Sequence, residues 1–144
     1  TGLIVTSNFS VGVNLFFELN KKLAELMRPH PEYQPSLLEV HHTQKLDSPS
    51  GTAISLAEQI LESIPSKEKW VNQKSDQKED LVILSERKDP APGTHHVKYC
   101  STIDDIEIIH TAHNRTGFAL GAVLAAEFIV GKKGAYTMKD VLGI

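Results

Sequence analysis

An α+β fold, with a mixed sheet packed by helices, is what this sequence predicts. Two segments carry helical apolar periodicity. A pair of runs between 95 and 112 reads as a hairpin. Helices are interleaved with antiparallel-looking strands. The 144 residues, 40% hydrophobic and 23% charged, have an ordinary globular composition. A chain of this length buries about 68–70% of its unfolded surface and can build a core unaided.

Leu3-Ile4-Val5 reads as a short buried strand that feeds a loop at Thr6-Ser7-Asn8. A helix follows, with Ser10 as N-cap and Phe16, Leu19, Leu23, Leu26 and Met27 as its apolar stripe. The prolines of Arg28-Pro29-His30-Pro31 end it. Ser36 to Gln44 reads as a strand. A second helix has Ser50 as N-cap and a stripe of Ala53, Leu56, Ala57, Ile60, Leu61 and Ile64. Residues 66–80 are dominated by Lys, Asp and Glu and read as a solvated, mobile excursion. Leu81–Leu84 is a strand, and Asp89–Gly93 a proline-rich loop. His95–Ser101 and Ile106–Ala112 form the hairpin. Thr116–Val130 is apolar nearly all round, which predicts a buried helix, with Gly117 and Gly121 allowing close packing and Gly131 stopping it. Thr137 and Asp140 have the spacing of a helix-opening box.

Several function classes are excluded. Fifteen Lys and Arg against 18 Asp and Glu give a net charge of −3, with no basic field for nucleic acid. The longest apolar run, Phe118 to Ala126, is 9 residues, short of the roughly 20 that span a membrane. Cys100 is the sole cysteine, so no intrachain disulfide forms, and the chain fits a reducing compartment such as the cytoplasm. Adjacent His41-His42 and His95-His96 diverge in strands, so no metal site is expected, and His95, His96, His110 and His113 read as ordinary core or strand-surface residues. A chain that opens on Thr1 and runs straight into apolar residues reads as part of a longer protein.

The chemistry concentrates between Glu39 and Ala53. Ser50-Gly51-Thr52 opens a helix, where amides lack intrahelical partners and the helix dipole favours an anion. Gly51 lets a carboxylate approach the main chain, and the Thr52 hydroxyl adds a donor. His42 and Lys45 supply donors or positive charge nearby. In an extended strand His41 and Lys45 lie about 13 Å apart. Both serve one small ring only if the chain curls, and His41 and His42 reach one site only if the strand ends or distorts there.

The run Glu39-Val40-His41-His42-Thr43-Gln44-Lys45-Leu46-Asp47-Ser48-Pro49-Ser50-Gly51-Thr52-Ala53 resembles the signature of the dihydrodipicolinate reductase family. Ser7 to Asn14, His113-Asn114-Arg115 with Phe118 to Val123, and the carboxy-terminal Gly131 to Leu142 also match. The resemblance implies the substrate-binding and tetramerising half of an NADPH- or NADH-dependent oxidoreductase of lysine and diaminopimelate biosynthesis. Its partner is a small cyclic dicarboxylate. It implies His41 as proton donor and acceptor, and Lys45 as the second acid. His42, Ser50, Gly51, Thr52 and Arg115 would hold substrate, and Thr6, Ser7, Asn8 and Phe9 would border the nicotinamide. By the same resemblance, residues 1–12 are the edge of a cofactor domain, 13–113 the substrate and oligomerisation domain, and 114–144 helices returning to the cofactor side. The family's Rossmann half is absent, and no Gly-x-Gly-x-x-Gly follows a strand here. These residues alone are therefore expected to lack turnover and to self-associate through the sheet as a homotetramer. A non-enzymatic oligomeric binding module on the same fold is the alternative.

Overall fold

The computed structural model describes every residue, Thr1–Ile144. Its elements are β1 (Gly2–Ile4), α1 (Val11–Met27), β2 (Gln34–His41), α2 (Gly51–Ser63), β3 (Lys69–Val71), β4 (Asp80–Arg87), β5 (Gly93–Cys100), β6 (Asp105–Ala112), α3 (Thr116–Ile129), β7 (Gly134–Tyr136) and α4 (Met138–Leu142). They form two compact units, Phe17–His113, and Thr1–Phe16 with Asn114–Ile144. The fold is α+β, and no helix is long and apolar enough to cross a membrane.

The larger unit is built on a mixed five-stranded sheet of order β3-β4-β2-β5-β6. β3, β4 and β2 run parallel, while β5 and β6 pair antiparallel as the expected hairpin. The parallel pair β2–β4 needs a crossover, which contains α2. Period-two alternation sets what each face carries. Along β2, Leu37, Glu39 and His41 are buried while Leu38 and Val40 are half-exposed. Leu37 lies between Ile83 and Val97, an apolar row under the helix layer. α2 covers this face with Ala53, Leu56, Ala57 and Ile60. Asn20 of α1 is buried and donates to Leu56 O at 3.1 Å and to Gln59 Oε1 at 2.9 Å, tying α1 to α2.

The buried side of α1 consists of Val13, Phe16, Phe17, Asn20, Ala24 and Met27, rather than the expected leucine stripe; Leu19 and Leu26 are 51% and 60% exposed. The buried polar anchor Asn20 and small Ala24 face inward, and this rotates both leucines outward. Residues 66–80 are likewise more ordered than their charge predicted. β3 adds an edge strand to β4, Lys67 is buried with Nζ donating to Lys78 O at 2.8 Å, and Asn72 donates to Ile83 O at 2.9 Å. Backbone pairing and amide bonding can order a polar segment that lacks a core of its own.

In the smaller unit β1 and β7 pair in parallel. β1 is no buried strand, since Leu3 is 59% exposed. Nor is α3 a buried helix: only Gly121 and Ala125 are covered, while Leu120 is 63% and Val123 55% exposed. An all-apolar helix needs partners on every side, and this unit covers one stripe. There the contact is close. A Cβ at Gly121 would lie 1.7 Å from Phe9 O, so the loop before α1 rests directly on the α3 backbone. That loop is bonded internally. Thr6 Oγ1 donates to Asn8 O at 2.8 Å, Ser10 N donates to Asn8 Oδ1 at 2.8 Å, and Ser10 Oγ caps α1 at Val13 N, 3.3 Å. Gly131, with φ of 74°, follows α3, and the Thr137–Asp140 capping box opens α4.

Gly121→Ala must push two backbones apart. A loss of about 1–3 kcal/mol is expected, read as a lowered midpoint in thermal unfolding, with Gly131→Asn as a milder comparison.

Candidate active site

β2 ends at His41 and the chain turns at once, with Lys45 N donating to His42 O at 3.2 Å. The strand end and the curl required for His41, His42 and Lys45 to serve one site are therefore both present. β4 and the loop after it hold the turn. Arg87 donates from Nε to Lys45 O at 3.3 Å and from its second terminal nitrogen to Asp47 O at 2.6 Å. Asp89 accepts from Thr43 N at 2.9 Å and Thr43 Oγ1 at 2.7 Å. Lys45 Nζ pairs with Asp47 at 3.0 Å.

The alternation that buries Leu37 also buries Glu39 and His41, two and four residues later. Glu39 lies in register between Ser85 and His95, and His41 beside Arg87. The covered face thus changes from apolar to ionisable toward the end of β2. Glu39 is fully buried. One carboxylate oxygen accepts from Ser50 N at 2.9 Å and lies 3.3 Å from His41 Nδ1, while the other accepts from Arg87. Burial alone would raise its pKa. Contact with His41 and donation from Ser50 and Arg87 outweigh that and hold the carboxyl well below the ordinary range.

His95 faces His41 edge-on, with ring centroids 5.1 Å apart, and its Nε2 lies 3.1 Å from Ser50 Oγ. Burial, aided by the nearby His41, pushes His95 down to about 3, so it is neutral at ordinary pH. His41 itself lies against Gly93, where a Cβ would come within 3.0 Å of Nε2. Ser50 caps α2 by accepting from Ala53 N at 3.1 Å.

The expected substrate-binding set divides. Gly51 is exposed with open space where a Cβ would be, and Thr52 and His42 are half-exposed, all within reach of solvent. Ser50 is 2% exposed, with its amide donating to Glu39 and its hydroxyl accepting from Ala53 N, so it shapes the helix opening. Arg115 is exposed, as is Ser7, and Thr6, Asn8 and Phe9 are half-exposed. These five residues belong to the smaller unit, where Thr6 and Asn8 serve the loop itself. His95 is no ordinary core histidine, and Glu39 and Arg87 are equally part of the cluster. Of these three only Glu39 carried a signal, its two-residue spacing from Leu37 and His41 on one strand.

Glu39, His41 and His95 place ligand atoms within 4.8 Å of one another. Ser50 and Arg87 already occupy the carboxylate, and Ser50 Oγ the Nε2 of His95. A cavity of about 650 Å³ lies among Gln34, Pro35, Lys67 and Asp80, at the beginnings of β2 and β4. The ionisable cluster is at their ends.

The unfolded state binds a proton at His95 near the ordinary value of 6.5, long before the folded state does. Stability present above that value should therefore fall as pH drops toward about 3. Glu39, also depressed, adds a second loss below its ordinary 4.5. Urea midpoints measured across this range should decline, and His95→Asn should flatten the part between 6.5 and 4.5. Ser50→Ala should cost about 0.5–2 kcal/mol as a lost cap.

A family described as "Dihydrodipicolinate reductase, C-terminus" matches residues 12–142. A 4-hydroxy-tetrahydrodipicolinate reductase of Christiangramia forsetii is 54% identical over 142 residues, covering 99% of this chain and 59% of the relative. That of Methanosarcina mazei is 38% identical over 144 residues, covering 98% and 54%. A solved structure, dipicolinate-bound dihydrodipicolinate reductase from Paenisporosarcina sp. TG-14, superposes with a TM-score of 0.66 at 27% identity, over 93% of this chain and 52% of that one. The chain thus spans a little over half the length of these relatives. With the family match over residues 12–142 and the similarity to these relatives in agreement, the chain belongs to the dihydrodipicolinate reductase family, to its C-terminal part.

Proposed function

We propose that this chain is the substrate-binding half of a reductase converting 4-hydroxy-tetrahydrodipicolinate to tetrahydrodipicolinate, in lysine and diaminopimelate biosynthesis. One observation carries the reading: Glu39 joins His41 to the opening of α2, and Arg87, which binds the same carboxylate, also holds the backbone of Lys45 after the turn. A proton-carrying ring, an ammonium and free helix amides are the groups that reduction of a small dicarboxylate ring requires.

The amides of Gly51 and Thr52, the Thr52 hydroxyl and His42 hold the carboxylates. When bound, NADPH or NADH would supply hydride to the conjugated ring carbon that is left once the 4-hydroxyl has departed as water. Negative charge then builds toward the ring nitrogen, and cationic groups beside the carboxylates stabilise it. His41 delivers the proton that the resulting enamine needs, with Lys45 as the second acid. Thr6 to Phe9 border the nicotinamide, a role suited to a loop whose path is already held by its own bonds. These residues do not cradle the cofactor's phosphates, for which this sequence has no glycine-rich loop. Arg115 is assigned to the substrate side.

The uncovered face of the large sheet supports self-association, as a homotetramer. Leu38, Leu84 and His96 are half-exposed there in one row with Ile109, which is 51% exposed. Pairing two such faces hides them from water.

Calorimetry with pyridine-2,6-dicarboxylate should give weak binding to this chain. No heat at millimolar ligand from a folded sample would overturn a preformed site. Thr52→Val should weaken binding by about 1.5–3 kcal/mol, the worth of a hydrogen bond to a charged group. In the complete reductase, His41→Gln should lower kcat by about 10²–10⁴-fold, the usual contribution of a positioned proton donor. Sedimentation should report tetramers, and Ile109→Lys should shift them toward smaller species.

A further inference from the structure

We propose that Glu39 is a positioning residue that couples the proton-handling ring to the anion-binding helix end: it fixes His41 with its proton on Nδ1, leaving Nε2 to act, and holds the first turn of α2 by the same oxygen. The purpose of the coupling rests on the function proposed above; the geometry does not.

His41 Nδ1 is buried and has no hydrogen-bond partner in its own right, and it faces Glu39 at 3.3 Å. That same oxygen accepts from Ser50 N at 2.9 Å. Arg87 engages the other oxygen, so the carboxylate cannot swing away from either group. The environment keeps Glu39 ionised, and an ionised carboxylate accepts only. A nitrogen facing it must carry a hydrogen, and the bond at one ring nitrogen selects the tautomer. The remaining nitrogen, Nε2, lies against Gly93, where an added Cβ would come within 3.0 Å of it.

His95 completes the frame. Ser50 Oγ accepts from Ala53 N and is also hydrogen-bonded to Nε2 of neutral His95 at 3.1 Å, in the direction that the His95 tautomer sets. The edge-on contact of the two rings then limits rotation of His41. Ser50 is held through its amide by Glu39 and through its hydroxyl by His95. A shift of the ring and a shift of the helix opening are therefore one motion.

The test reads the ring nitrogens directly. Long-range ¹⁵N–¹H spectra of the 144-residue chain are recorded at about pH 8.5, well above the ordinary imidazole value of about 6.5. His41→Asn assigns the His41 signals among the seven histidines. Wild type should show His41 with hydrogen on Nδ1 alone. Glu39→Gln turns an acceptor into a group that also donates, so His41 should move to the Nε2–H form or to a mixture, and the Ser50 amide signal should shift with it. A wild-type His41 protonated on Nε2 overturns the proposal. So does a folded Glu39→Gln chain whose His41 tautomer is unchanged. Should that variant fail to fold, the wild-type spectrum decides alone. Pyridine-2,6-dicarboxylate is titrated separately: if wild type shows the expected tautomer and takes no ligand, the substrate reading falls and the coupling stands.

Discussion

A carboxylate with no access to water, Glu39, organises the larger unit at its functional end. An isolated buried charge would cost far more than a small domain's margin of stability. Here the charge is met by two donors, Ser50 at the start of α2 and Arg87 at the end of β4, with His41 of its own strand 3.3 Å away. Each of the three has a second task. Ser50 caps a helix, Arg87 holds the turn from Lys45 to Asp47, and His41 is the ring assigned to proton transfer. Satisfying one anion therefore fixes a helix end, a loop and an imidazole together.

The sheet brings these groups together by register alone. Leu37, Glu39 and His41 follow one another on the covered face of β2, and their neighbours change in step, from Ile83 and Val97, through Ser85 and His95, to Arg87. The apolar row anchors α2, and the polar rows lie under its first turn. Core and ionisable cluster are successive rows of one surface, so Glu39, His41 and His95 stand on strands rather than on loops.

Much of this was legible in the residues. Ser50 as a cap, the α2 stripe and the strand over 106–112 follow from local rules of spacing and capping, whereas the strand expected to run to Gln44 stops at His41, where the chain turns. Arg87 and His95 were not legible, because their importance comes from β-pairing between segments some fifty residues apart, and no local pattern encodes which strand becomes a neighbour. In the α1 stripe Phe16 and Met27 are buried as expected, but the leucines failed for a related reason. Leu19 and Leu26 have the spacing of a buried face, yet Asn20 finds its acceptors on α2 and turns the helix around them. Residues 66–80 were misjudged because charge density describes solvent affinity and is silent about backbone pairing.

The contact between Gly121 and Phe9 O is made by main-chain atoms. Together with the bonds of Thr6 and Asn8, it determines the course of the loop before α1 independently of the side chain at Ser7, which is exposed. That position is free to vary in chemistry while the loop keeps its trajectory, so divergence in what the loop presents requires no rebuilding of the scaffold beneath it.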